Sequence, residues 1–282
     1  MHSVREIPCS VGILTFNSEK TLRRTLESVK GFSDIIISDG GSTDSTLSIA
    51  EEYNARVIDQ YTKHKPSGVP FHPIEDFAKE RNKMLDAAKE DWFFWLDSDE
   101  YISSELYEEI KAVCSSEQID YFVYSTHRVL QNPTGSVTYQ RSKKPHQIRL
   151  FNLRTNGRFE KIMHEKFVYD TNKYKAGVLK GSWYVPLSRP DFKAHKKVVN
   201  YRFNKMLSEK VPKSFFAYVK RGIWSTSKAA LSTVLDWIIS WIKYSPAKSL
   251  PFFYYRNTLY SQWVIFKVVT KLYFKSLFKT RK

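Results

Sequence analysis

The 282-residue chain has 42% hydrophobic and 26% charged residues, the balance of a globular protein with a real core. It has no window approaching about 18 uncharged apolar residues and no signal-peptide pattern at its start, so neither a membrane-spanning helix nor a leader is expected. The net charge of +16 is uneven: residues 1–194 hold 27 basic and 27 acidic side chains, whereas residues 195–282 hold 18 Lys and Arg against only Glu209 and Asp236. That shift predicts a neutral body over 1–194 and a basic, aromatic-rich region over 195–282. The two cysteines, Cys9 and Cys114, lack metal or disulfide spacing and are expected as free thiols in a reducing compartment.

In chain order, "CSVGILTF" (9–16) reads as a strand. "EKTLRRTLESVKGF" follows with Leu22, Leu26 and Val29 on one helical face, ending at Gly31. "DIIISDGGSTDS" is a short buried strand running into a Gly/Ser/Asp loop, and Thr43 or Asp44 caps the next helix. "ARVID" is a strand, "QYTKHKPSGVPFHPIE" a loop, "DFAKERNKMLDAAKE" a helix and "WFFWLD" a strand. Apolar, non-alternating strands separated by helices predict a parallel sheet covered on both faces. Ligands of such sheets bind beyond the carboxyl ends of the strands, so the acidic loops "SDGGSTD" and "LDSDE" are expected to meet there. A helix over "SELYEEIKAVCSS" and strands over "DYFVYSTHRVL" and "HQIRLFNLR" come next. After Asp191 the pattern is helical. "KAALSTVLDWIISWIKY" sets Leu231, Val234, Leu235, Ile238, Ile239 and Ile242 along one face, and the last segment carries Lys267, Lys271, Lys275 and Lys279 four apart.

The apolar run from Trp92 to Leu96 ends in Asp97, Asp99 and Glu100. Like charges so close disfavour one another's ionisation, so a cation is expected there. Asp97 and Asp99, two residues apart at a strand end, can hold a hard divalent ion such as Mg²⁺ or Mn²⁺, whose shell is completed by water and substrate phosphates. A D-x-D pair alone also occurs on ordinary surfaces. Asp39, followed by two glycines, can accept from a nucleobase imide N–H or simply close a turn. Arg81, on the helix before the acidic strand, suits either the site or a solvated helix face.

Together, "VGILTFNSEKTLRRTLESV", "IIISDGGSTDST" and "FAKERNKMLDAAKEDWFFWLDSDEYIS" resemble the inverting glycosyltransferases of family 2, across residues 9–103. The resemblance implies an α/β GT-A fold with a Rossmann-like mixed sheet, followed here by a basic helical extension. It implies that Thr15, Asn17, Glu19 and Asp39 line a nucleoside pocket with Arg81 nearby. Asp97 would lie near the ribose or diphosphate and Asp99 would be the main metal ligand. Arg149-Leu150-Phe151, Gly157-Arg158-Phe159 and His164-Glu165 resemble a signature of the lipopolysaccharide-core glucosyltransferase branch. That implies Glu165 as the base and His164 as a neighbour that orients it or helps bind metal or diphosphate; Glu160 and Glu100 are weaker substitutes for the base. A further downstream histidine of that branch has no counterpart near Tyr184 or Val185.

The expected activity is metal-dependent inverting transfer from a nucleotide-diphosphate sugar, UDP-linked, to a lipid-linked saccharide of the cell envelope. The rivals are transfer to a polyprenyl phosphate, a phosphotransferase using the D-x-D pair, and a non-catalytic membrane or nucleic-acid adaptor. For 195–282 three readings stand: a solvated basic face, a nucleic-acid surface, and attachment to the cytoplasmic face of a membrane. The membrane reading fits a lipid-anchored acceptor, and no nucleic-acid module is present.

Overall fold

A computed structural model describes residues 7–61, 74, 76–132, 135–136, 146–161, 165–187, 192–207, 211–212, 214–244 and 248–279. Most of the loop expected over 60–75 lies outside them, as does His164. The chain divides into two compact units. One comprises Met1–Ser67, His72–Leu130 and Lys144–Pro186; the other is chiefly Leu187–Lys282.

The first unit opens with β1 (Ile7–Thr15), α1 (Leu22–Glu27), β2 (Phe32–Asp39), α2 (Thr46–Glu52), β3 (Arg56–Asp59), α3 (Phe77–Asp86) and β4 (Trp92–Asp97). β5 (Tyr101–Ile102), α4 (Ser104–Cys114), β6 (Val123–Gln131), β7 (His146–Asn152), β8 (Arg158–Glu160), β9 (Lys166–Val168) and β10 (Ala176–Pro186) follow. Eight strands form one sheet in the order β3-β2-β1-β4-β7-β6-β10-β5, and β8 pairs with β9 separately. β1 runs parallel to β2 and β4, and β2 parallel to β3. β7 runs antiparallel to β4 and to β6, and β5 to β10. The sheet is therefore mixed, with the parallel half in the segment where continuous apolar strands predicted it.

Val11, Ile13, Ile37, Phe94 and Leu96 fill one core cluster with Leu22, Leu26 and Val29 of the α1 region. Met84, Leu85, Phe93, Trp95 and Phe151 belong to a second. The parallel register places Thr15 beside Asp39, Asp39 beside Asp59, and Leu14 beside Asp97, so the site residues share one edge of the sheet.

Three local readings change. Residue Ser45, not Thr43 or Asp44, occupies the N-cap of α2; Asp44 sits one place earlier and accepts from the Thr46 amide at 3.0 Å. The short β5 was not expected. Nor was β10, whose sequence is broken by Gly177 and Gly181. Gly181 is required by packing: a Cβ there would lie 2.4 Å from the Leu106 backbone nitrogen, because β10 supports the start of α4.

The second unit contains α5 (Phe192–Leu207), α6 (Phe215–Tyr218), a π-helical turn (Val219–Trp224), α7 (Ser225–Tyr244) and α8 (Phe252–Lys279). Its core joins Val199, Leu207, Tyr218, Val264, Val268, Val269 and Tyr273. Tyr218 and Tyr273 stack with ring centroids 4.7 Å apart. The apolar face predicted on α7 is largely outside this core: Leu231, Leu235, Ile238 and Ile242 are 61%, 42%, 44% and 78% exposed. Among the described residues no helix is long and apolar enough to cross a membrane.

Candidate active site

The expected nucleoside residues gather at the ends of β1 and β2. Asp39 is buried and both its oxygens are engaged. Oδ1 accepts from the hydroxyls of Thr15 (2.9 Å) and Ser42 (2.6 Å), and Oδ2 from the amides of Gly41 (2.8 Å) and Ser42 (2.7 Å). Four donors fill a carboxylate's acceptor positions. Asp39 thus braces the loop, and a nucleobase N–H would take the place of one of these donors. Asn17, at φ 49°, accepts from the Thr43 amide at 2.8 Å and donates its own amide to Ser42 Oγ at 2.8 Å. Glu19 accepts from the Ser45 amide at 3.3 Å and donates its own amide to Asp44. Ser18 and Ser98 hydroxyls meet at 2.8 Å, so the loop after β1 links the two acidic loops.

A second cluster surrounds the end of β4. Arg81, from α3, is 1% exposed and joins two of the predicted residues: Nε donates to Glu165 Oε1 at 2.6 Å and Nη2 to Asp97 Oδ1 at 2.8 Å. Its guanidinium lies 3.9 Å from the centre of the Trp95 ring. The solvated-face reading of Arg81 is therefore excluded. Burial works against both charges of the Arg81–Asp97 pair. Their mutual attraction outweighs it, holding the Asp97 carboxyl below the ordinary range and the Arg81 guanidinium above its own.

Arg149, from β7, was legible only as part of a family signature. It is buried between Trp95 and Trp183, 3.6 Å from each ring centre, and makes a two-pronged ion pair with Glu100 at 2.8 and 3.2 Å. Glu100 also accepts from the Asp97 amide at 3.0 Å. This pairing gives Glu100 a structural task, while burial raises its carboxyl to about 7 against the pull of the Arg149 charge. Glu160, exposed on β8, does not line the cavity described next.

That cavity, of about 550 Å³, is lined by Arg81, Trp95, Asp97, Arg149 and Glu165, among others. Thr15, Asn17, Glu19 and Asp39 do not line it. The predicted residues therefore separate into a loop cluster at β1 and β2 and a cavity cluster toward β7 and β6, with Asp97 and Arg81 on the cavity side. Asp99, whose residue surface is exposed, has a carboxyl raised to about 6, first by desolvation within the loop and then by the charge of Asp97.

The profile described as "Glycosyl transferase family 2" matches residues 10–173, more than half of the chain. The chain belongs to glycosyl transferase family 2. Among curated relatives of this family 2 chain, the SPbeta prophage-derived glycosyltransferase SunS of Bacillus subtilis is 34% identical over 95 residues, 33% of this chain and 20% of SunS. The lipopolysaccharide core biosynthesis glycosyltransferase LpsC of Rhizobium meliloti is 29% identical over 37% of this chain and 36% of LpsC. An uncharacterized glycosyltransferase of Rickettsia conorii matches over 50% of its length. The chain thus spans half or less of the length of these relatives. Among solved structures, S. aureus TarS 1-349 in complex with UDP-GlcNAc aligns over 93% of this chain and 91% of that one, at 16% identity and a TM-score of 0.49.

A divalent cation is the implied cofactor of a family 2 site. Among the described residues no cluster of three His, Cys, Asp or Glu side chains is arranged to hold a metal. Asp97 and Asp99 nevertheless fit one. Asp97 commits one oxygen to Arg81 and keeps 47% of its side chain exposed, and the raised Asp99 carboxyl is eased by added positive charge. Mg²⁺ or Mn²⁺ needs only one or two protein carboxylates when a diphosphate supplies further oxygens.

Proposed function

We propose that this family 2 chain transfers one sugar, with inversion, from a UDP-linked donor to a saccharide acceptor of the cell envelope, anchored on lipid. The observation that carries the reading is the placement of Glu165 and Asp97 on one buried arginine beside a cavity. Glu165 takes the proton of the acceptor hydroxyl as that oxygen attacks the anomeric carbon, so no charged acceptor nucleophile is required. Arg81 orients the Glu165 carboxylate and ties it to the donor end of the site through Asp97. Asp99, with Asp97, would hold the divalent ion, which when bound supplies positive charge against the departing diphosphate. His164, next to Glu165, would assist in orienting it. The loop cluster around Asp39 would receive the nucleoside, and the similarity to LpsC supports an envelope glycan as acceptor.

The exposed apolar residues of α7, with Lys267, Lys271 and Lys275 exposed on α8, support attachment to the cytoplasmic face of a membrane. No role for nucleic acid is proposed.

Calorimetric titration with UDP, GDP, dTDP and CMP, each with and without Mn²⁺, tests the reading. Metal-dependent binding selective for UDP is expected. A folded protein that binds none of the four overturns the transferase assignment in favour of an adaptor.

A further inference from the structure

The cavity beside Glu165 has more hydrogen-bond donors than the chain itself uses. Four buried nitrogens of its lining have no hydrogen-bond partner among the described residues: Arg81 Nη1, Arg128 Nε, Arg149 Nε and Trp183 Nε1. All four are donors. Among the described residues no buried side-chain acceptor of the same lining is left unpaired. Buried polar groups are rarely left unsatisfied, so this imbalance favours an occupant rich in acceptors.

Charge points the same way. Arg81 is shared by Asp97 and Glu165, and Arg149 is matched by Glu100. Arg128 on β6 and Lys166 on β9 have no carboxylate partner among the described residues. A neutral sugar hydroxyl both donates and accepts. A phosphate or carboxylate only accepts, and it pairs with guanidinium in a geometry that ammonium can replace only in part. Asp97 puts the donor end of the site on one side of the cavity, and Arg128 and Lys166 lie toward β6 and β9. Arg128 and Lys166 belong to the half of the unit that holds Glu165, whereas the loop cluster that would take the donor's nucleoside lies at β1 and β2 and contributes nothing to this lining.

We propose that the cavity receives an acidic acceptor, a saccharide bearing a phosphate or carboxylate near its attacking hydroxyl, with Arg128 and Lys166 holding the anion. The proposal rests on the transferase reading and narrows its acceptor.

The test uses the full chain saturated with UDP and Mn²⁺ and titrated, by ligand-observed NMR, with glucose 6-phosphate, glucuronate and glucose. The two acidic sugars should bind about tenfold more tightly than glucose, as expected for a charge-assisted contact in a partly closed site. Arg128→Met combined with Lys166→Met should remove the difference without changing UDP affinity, while Arg128→Lys keeps part of it. The preference should also shrink as NaCl is raised, a readout that needs no variant. Equal binding of the three sugars, with UDP bound normally, overturns the proposal and leaves the transferase reading standing. A preference seen only between UDP-glucuronate and UDP-glucose assigns the cations to the donor and also overturns it. A folded chain that binds no nucleotide removes the transferase reading and this inference together.

Discussion

Arg81 shows how one side chain can organise a site whose parts are distant in sequence. It reaches Asp97, 16 positions on, and Glu165, 84 positions on, from a single guanidinium. Its burial is affordable only because two carboxylates and an aromatic face surround it. Glu165→Gln keeps the shape and a hydrogen-bond acceptor for Arg81 but cannot take a proton. Transfer should fall by at least about 100-fold, the usual scale of a lost general base. UDP affinity, read by calorimetry, should stay near that of the parent. Full activity in the variant would indicate an acceptor that is already ionised, as a polyprenyl phosphate is. The carboxylates of this site were legible in the sequence, since Asp97, Asp99 and Glu165 stand in recognisable motifs. Of the cations that oppose them, Arg81 was legible as a site residue, but its pairing with Asp97 and Glu165 was not. Arg149 sits in the apolar strand "HQIRLFN", and an arginine flanked by Ile148 and Leu150 is the one local signal that it turns inward to a buried partner.

At the scale of elements, Asp34 holds together parts that periodicity alone could place but not join. From β2 its carboxylate accepts from Ser10 of β1 at 2.6 Å, from Arg56 of β3 at 2.8 and 3.0 Å, and from the Lys89 amide before β4 at 3.1 Å. Burial alone would raise this carboxyl; the Arg56 guanidinium and the Ser10 hydroxyl outweigh it, so the folded-state value lies below the ordinary one. A depressed acid stabilises the fold at pH above its unfolded value, near about 4, and that contribution is lost as pH falls through the folded value. Asp34→Asn should therefore lower stability by about 2 kcal/mol at pH 7, in the range for breaking a largely buried pair. In urea titrations the deficit should begin to narrow below about pH 4, where the unfolded carboxyl takes up its proton, and close as pH falls through the lower folded-state value. A deficit independent of pH would mean that packing, not charge, is what Asp34 provides. The parallel half of the sheet was readable because its strands are continuous apolar runs. β10 was not, because alternation interrupted by Gly177, Lys180 and Gly181 resembles a loop until α4 is seen resting on it.

For the whole molecule, the excess charge and the exposed apolar surface lie in the same region of the chain. Residues 195–282 carry all of the net +16. The unit that contains them leaves Trp224, Leu231, Trp241 and Ile242 more than half exposed, although it has a core of its own. A helix whose main contact with its neighbour used the predicted apolar face would bury Leu231 and Ile242. Instead α7 buries Thr226 and Ser240 and meets α8 through Trp237, whose ring lies 5.4 Å from Phe252. An apolar face left outside a strongly basic unit would suit the surface of an anionic leaflet: the apolar side chains would enter the headgroup boundary and the lysines would add about 1 kcal/mol each at short range. The full chain should float with vesicles containing anionic phosphatidylglycerol and not with neutral phosphatidylcholine vesicles. Leu235→Glu with Ile238→Glu should cut anionic binding by at least about tenfold through the loss of buried apolar area, while high salt weakens the parent. Both substitutions lie on the exposed face, so UDP binding serves as the control for folding. Retention of vesicle binding in the double variant would reduce the attachment to charge alone, and binding of single-stranded nucleic acid in place of vesicles would assign the basic unit to a different partner.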